Sequence, residues 1–386
     1  MSRPHRRAPM LVILLVVFAS CSSEYDDPPD YSAGGGYLSL TLREPKTLGT
    51  DFPDSLLFQL PTDARMGLNG ELYIIDARAS RIVIFSREQV FRRAFGAPGV
   101  GPGQLVSPSF VGGVEDEVVV FDNGNRYIYR YDLSGSLMNA SRCADCPSST
   151  ESLIETSTGF VLVTKGLVPL GDELVGQYLA IQQEGALQAD PEIRTIAAPR
   201  SLRVRAKSGG TRYVSAFFFG EPVILPSSNG GILLVSGMGQ EICEYDGNLR
   251  HVKTKGPKLP GPPIGEEERA LAVEHMLAVS SGQVSASYLR EHLTARRPAA
   301  WYDAQIDEEG SLWLFSYSKP LEMLSPGAQD LIVHKLNSEF EYVGSLRIPT
   351  PHGRFTRGRF ISFDYMEPEG PTVVVYRIAE LAASNR

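Results

Sequence analysis

The chain has 386 residues, 42% hydrophobic and 21% charged, with 37 Lys and Arg against 45 Asp and Glu. That balance excludes a disordered, collagenous or coiled-coil chain, and a chain of this size buries enough surface to fold without a metal or a disulfide. The net charge is −8, and −11 once the first 20 residues with Arg3, Arg6 and Arg7 are removed; a mildly acidic body argues against nucleic acid as the main partner.

Residues 1–9 are basic and carry no acid, and Met10 to Phe18 is a short apolar run. The run is about half of the ~20 residues that a membrane-spanning helix needs, so residues 1–20 read as a signal peptide. At its end Phe18-Ala19-Ser20-Cys21 resembles a bacterial lipobox, with Phe18 where Leu is usual. The resemblance implies lipidation of Cys21, attachment to the membrane through that lipid, and a cell-envelope location. Ser22 would favour the outer membrane if the cell is Gram-negative. An ordinary signal peptide with an incidental cysteine is the alternative. Residues 21–36 are acidic and rich in Pro and Gly (Glu24, Asp26, Asp27, Pro28, Pro29, Asp30, Gly34 to Gly36), a composition that buries no core and reads as a flexible tether.

From residue 37 to 386 the chain reads as one domain built on a repeat. Tyr37 to Leu42 alternates apolar with polar, as a strand does. Short apolar runs then recur, ending at Asp76, Asp122, Thr164, Ser236, Ser316 and Tyr376, and a glycine stands six residues before four of these ends (Gly70, Gly230, Gly310, Gly370). Asn69-Gly70 and Asn229-Gly230 are tight-turn pairs, because both residues tolerate positive φ. The runs do not alternate, which predicts strands buried on both faces. A second strand follows in register: Ile82 and Phe85, Ile128 and Tyr131, Ile242 and Tyr245. Residues 265–295 have helical periodicity, with Ala270, Val273, Met276 and Leu277 on one stripe, and a second short helix at 287–295 is stopped by Pro298.

Gly70 to Asp76 with Arg81-Ile82 and Phe85, then Phe95-Gly96 and Gly101 to Gln104 with Pro108, resembles an NHL repeat, and Val119 to Tyr131 resembles the next one. The match covers about residues 61–140, is partial at 212–250 and is only periodic elsewhere. The resemblance implies an all-β fold, a six-bladed β-propeller carrying a short helical insertion. It implies no particular chemistry, because NHL-type propellers include binders, lyases and scaffolds. Only nine residues follow Arg377, so the strand at Tyr37 to Leu42 is expected to complete the last blade and close the ring.

Candidate site residues are few. Cys143-Ala144-Asp145-Cys146 is a CxxC in an oxidising compartment, read as a local disulfide; free thiols and redox work are the alternatives. Cys243 falls inside a strand and reads as a buried apolar residue. The histidines form no metal-binding pair, and no metal or cofactor is expected; calcium at the acidic turns is the one weak exception. Glu115-Asp116-Glu117 and Asp307-Glu308-Glu309 precede repeated strands and are expected to be solvated turns. In an antiparallel meander the connections leaving the second strand share one end with those joining blades. Insertions fall there, at Lys165–Gln177, Tyr317–Asp330 and 265–295, so this face, rimmed by Arg78, Arg126, Lys165 and Tyr317, is the expected binding face. The function expected is a lipid-anchored, non-catalytic binding or scaffold module for a protein, peptide or glycan ligand. A metal-assisted lyase or lactonase working in the central channel is the alternative.

Overall fold

In the computed structural model the described residues are 38–50, 52, 56–113, 116–143, 150–170, 173–184, 192–197, 200–205, 211–215, 223–236, 240–257, 259, 301–317, 331–365 and 370–380, with single positions at 266, 270, 271, 273, 274, 277 and 287. Strand β1 spans Leu38–Leu48. Strands β2 to β5 (Pro61–Met66, Leu72–Asp76, Arg81–Phe85, Phe91–Phe95) form an antiparallel sheet in sequence order. The short pair β6 (Ala97–Pro98) and β7 (Gln104–Leu105) leads to β8–β11 (Pro108–Gly113, Glu117–Asp122, Tyr127–Asp132, Leu137–Arg142), which repeats the plan.

The third sheet contains β12 (Thr150–Thr156), β13 (Gly159–Leu170) and β14 (Glu173–Glu184). Strand β15 (Glu192–Ala197) lies beside β14, and the hairpin of β16 (Arg200–Arg205) and β17 (Thr211–Ser215) joins β14 further along. The fourth is β18–β21 (Val223–Pro226, Ile232–Ser236, Glu241–Tyr245, His251–Lys255). Strands β22–β25 (Asp303–Ile306, Leu312–Tyr317, Leu331–Leu336, Tyr342–Ile348) and β26–β28 (Gly353–Thr356, Arg359–Asp364, Thr372–Glu380) are joined by β1 into one eight-stranded sheet. Among the described residues no helix is long and apolar enough to cross a membrane.

The chain is nearly all β and propeller-like, and alternation along the second strands shows why. Leu72 and Ile74 enter one buried cluster with Ile361 and Val373, whereas Tyr73 and Ile75 enter another with Val118 and Val120. Val119 and Phe121 share the next cluster with Leu162, Val161 and Val163 the next with Ile232, and Leu233 and Val235 the next with Leu312. Trp313 and Phe315 then meet Phe360, whose neighbour Ile361 returns to the first cluster. Each second strand is therefore covered on both faces by neighbouring sheets, as the unbroken apolar runs predict. Each such buried Leu, Ile, Val or Phe contributes roughly 1.5–3 kcal/mol. The first strands β2, β8, β12, β18, β22 and β26 touch one another in that order, and β26 touches β2, which closes the cycle around an axis.

Strand β1 closes the last sheet, as expected from its alternation. Leu40 to Leu48 pair antiparallel with Glu380 to Val373, and Leu38 and Ser39 pair parallel with Gly344 and Ser345. Two expectations need correction. Tyr376 does not end a second strand; it lies in β28, the third strand of its sheet, and the second strand β27 ends at Asp364. Val373 to Val375 are as apolar as any second strand, and the sequence offers no local cue to distinguish them. Lys165–Gln177 is not a loop inserted between strands: β13 and β14 stay paired out to Leu170 and Glu173, so the insertion lengthens a hairpin. Within 265–295, the described positions are helical, and Val273 is buried. Tyr317 ends β23, and residues 318–330 lie outside the described residues.

Candidate functional site

Two repeated aspartates fix how the chain enters the axis. Asp76 is fully buried at the end of β3; its carboxylate accepts the Gln59 and Leu60 N–H groups at 3.1 and 2.8 Å and two Arg81 nitrogens at 3.2 and 2.9 Å. Asp122, equally buried at the end of β9, accepts the Val106, Ser107 and Gly124 N–H groups at 2.6, 2.9 and 2.9 Å. Each carboxylate thus holds the backbone that precedes its own first strand, at β2 and at β8. An unpaired buried N–H is costly, so this is what the recurring aspartate does.

The first strands then carry polar side chains to the axis. Asp63 of β2 pairs with Ile75, one residue before the end of β3, and Asp303 of β22 with Phe315, two residues before the end of β23. Two residues further in, Arg65 lies opposite Tyr73, Gln305 opposite Trp313 and Arg354 of β26 opposite Ile361, so these three share one level. Arg354 donates from Nε to Asp63 Oδ1 at 2.6 Å. Its side chain lies deep in the molecule yet keeps 36% of its surface open, the mark of a group that lines a channel. Gln305 donates to the Gly353 carbonyl at 2.9 Å and accepts the Phe355 N–H at 3.2 Å.

Further along, Thr356 accepts the Met66 N–H at 2.9 Å and donates to the Glu308 carboxylate at 2.9 Å. Glu308 comes from the turn after β22, two sheets away from β2, and still feels the charge of Arg65. Burial pushes the carboxyls of Asp303 and Glu308 up from the ordinary range, while neighbouring cations oppose the rise. The Asp63 carboxylate favours the charged form of Arg354.

The acidic triplet after β22 is therefore not a solvated turn. Asp307 is buried and accepts the Trp313 indole N–H at 2.9 Å and the Ser311 N–H at 2.8 Å; Glu308 faces the axis, and only Glu309 is exposed. In the other triplet Asp116 is exposed and Glu117 pairs with Arg130.

The nominated residues hold the expected end but not one site. Arg78 is exposed in the β3–β4 turn and Arg126 is half-buried before β10 at a φ of 59°, while Lys165 lies within β13 and Tyr317 ends β23. Arg78, Arg126 and Tyr317 stand where second strands end, the end at which Asp63 and Asp303 begin the axis, whereas Lys165 is five residues short of the end of β13 at Leu170. The axial residues were missed, although a signal was present: polar residues at every second position in Asp63-Ala64-Arg65, Asp303-Ala304-Gln305 and Arg354-Phe355-Thr356.

Cys143 is fully buried and disulfide-bonded, and Cys146 lies outside the described residues, as does Cys21. Cys243 is a free thiol, part-buried, with its pKa raised by burial. His334, in β24, is buried with Nδ1 unpartnered among the described residues, and burial pulls its pKa down to about 4, so it is neutral near pH 7. Among the described residues no three His, Cys, Asp or Glu side chains gather as metal ligands.

No protein-family model matches the chain, so the NHL resemblance has no further support, and no curated protein matches it. Among solved structures, a member of the DUF4221 family from Bacteroides vulgatus is 12% identical with a TM-score of 0.46, over 89% of this chain and 99% of that one. A Bacteroides fragilis protein described as exported is 12% identical with a TM-score of 0.43, over 89% of this chain and 96% of that one. An inactive virginiamycin B lyase from Staphylococcus aureus, with quinupristin, is 11% identical with a TM-score of 0.40, over 88% and 99%. Likenesses this distant carry no weight for function, and the propeller-like architecture stands on strand pairing and the closed cycle of first strands.

Proposed function

We propose that the chain is an exported six-bladed β-propeller, lipid-anchored at Cys21 and tethered by residues 21–36, that binds its ligand where second strands leave the ring. Residues 37–386 form the propeller in this reading, with the helical segment about 265–295 as an insertion between blades. Six first strands that touch in a closed cycle, the last two of them within one eight-stranded sheet, support the blade count. The basic start, the apolar run and Ala19-Ser20-Cys21 support the anchor and an envelope location.

The observation that carries the binding role is the polar axis. A channel surrounded by apolar clusters on every side presents Asp63, Arg65, Asp303, Glu308 and Arg354 from three adjacent sheets. Ligand sites are commonly such apolar-walled hollows with a few convergent polar groups.

The test is partner retention in native membranes by cross-linking. Arg78→Glu with Arg126→Glu should release the partner, and Asn69→Lys with Asn229→Lys at the tight-turn end should not; the reverse pattern sinks the assignment. Cys21→Ala should lose acyl labelling and leave the membrane fraction, and retained labelling would sink the anchor. The lyase or lactonase alternative is separated by metal analysis, where stoichiometric calcium or zinc in the purified protein would favour it.

A further inference from the structure

The guanidinium of Arg65 makes no hydrogen bond or ion pair among the described residues, and its Nε is buried without a partner. Arg354 uses only Nε, toward Asp63, which leaves both of its Nη groups unpartnered among the described residues. The two arginines hold the same level on adjacent first strands, opposite Tyr73 and Ile361. A cation withdrawn from water without a partner is costly, and a fork of unmatched N–H donors fits a carboxylate in shape as well as charge. The other polar groups at this level cannot supply the acceptor. Gln305 is spent on the Gly353 and Phe355 backbone, and Glu308, which lies further along and accepts the Thr356 hydroxyl, feels the charge of Arg65 without a hydrogen bond or ion pair to it.

We infer that Arg65 and Arg354 clamp a carboxylate of the ligand across the propeller axis, so that the ligand class is a carboxylate-bearing molecule, either a free organic acid or the carboxyl terminus of a peptide. Asp63 holds the Arg354 guanidinium so that its Nη groups face the channel, and with Asp303 it forms the acidic mouth through which the ligand passes. The mouth therefore admits the carboxylate only alongside a group those acids tolerate, such as an amide or amine, and rejects compact polyanions. This inference rests on the axial binding reading above and adds the chemistry recognised there.

The experiment is calorimetric titration of the full-length, detergent-solubilised protein with succinamate, with acetyl-dialanine, with the amides of both, and with inorganic phosphate. One or both carboxylates should bind and the amides should not; the stronger of the two distinguishes an organic acid from a peptide terminus. Arg65→Gln should weaken that binding about tenfold or more while the unfolding midpoint stays at or above that of the parent, because an unpaired charge has been removed. Arg354→Gln should weaken binding similarly and also lower the midpoint, because Asp63 loses its partner. Arg92→Gln, exposed on β5 and away from the axis, should change neither.

Equal binding of acid and amide, stronger binding of phosphate, no binding of either carboxylate, or undiminished binding by a folded Arg65→Gln variant would each overturn the clamp. The membrane cross-linking result is independent of these titrations. Partner loss on substitution at the second-strand exits, with no carboxylate binding, would leave the binding face standing and remove only the ligand class.

Discussion

The first sheet, β2–β5, and the last, β26–β28 with β1, are neighbours that share one buried cluster and one plan, but the chain assembles them differently. The first is continuous in sequence, each strand following the last by a short turn. The last takes three strands from the end of the chain and its outer strand from the beginning, with Leu40 opposite Glu380 and Leu48 opposite Val373. Both end their second strand on an aspartate, Asp76 and Asp364. The difference teaches that a repeated sheet is specified locally, whereas closure of the ring is specified by one pairing between the ends of the chain.

The sharpest way to break the comparison is to remove the borrowed strand. Deleting residues 22–34 should leave stability within about 0.5 kcal/mol, since that segment precedes β1. Deleting 22–48 strips the outer edge from β28, withdraws buried Leu40 and Leu48, and should abolish the cooperative unfolding transition and promote aggregation, read by urea unfolding and light scattering. Equal stability of the two deletions would show that the last sheet does not depend on β1.

A smaller effect compares the two aspartates. Asp76→Ala removes the carboxylate partner of the Arg81 guanidinium, 11% exposed, which keeps the Leu56 and Leu57 carbonyls, and the acceptor of two backbone N–H groups, and should cost about 3 kcal/mol in urea unfolding. Asp364 is only half-buried, and Asp364→Ala should cost less. If the order reverses, the incoming backbone is held more firmly at the closing sheet than at the first.

The smallest contrast lies in the tight turns from first to second strand. Gly70 has φ +79° and an added Cβ would stand 3.0 Å from Arg87 Cγ; Gly358 has φ +70° and open space around it. Both Gly→Ala changes should cost about 1 kcal/mol for the left-handed backbone, with Gly70→Ala the larger by the adjustment of Arg87. Thermal midpoints of the two variants measure the difference.

Much of this architecture is legible in the sequence because its signals are local. Unbroken runs such as Leu72 to Ile75 and Val118 to Phe121 announce strands covered on both faces, and the Asn-Gly pairs announce the turns before them. The third strands at Ile82, Ile128 and Ile242 are equally plain. The misplacement of the last repeat at Tyr376 has a physical cause: β28 is buried between β27 and β1 and is therefore as apolar as a second strand. Its position in the sheet depends on β1, which lies at the other end of the chain.

The site was less legible for a related reason. Asp307 and Glu308 sit in a turn, where charge ordinarily meets water, and only the closed ring brings that turn against Thr356 and the field of Arg65. Arg354 stands 291 residues from Asp63, whose near neighbour is Arg65, and none of the three belongs to the recurring apolar run. The exit turns at Arg78 and Arg126 were visible as an end of the molecule, and the axis that they surround was not.

The pairing of β1 with β28 also sets an order of events. Strand β1 pairs with β25 only through Leu38 and Ser39 and has no antiparallel partner until β28 exists, across some 340 residues from Leu40 to Glu380. Sheets such as β2–β5 can form as soon as they emerge, because their strands pair in sequence order, but the ring stays open until β28 has emerged. Until then two edges are bare, one on each flank of the gap. Maturation is thus tied to the arrival of β28, and a product cut short before it would remain an open, adhesive form.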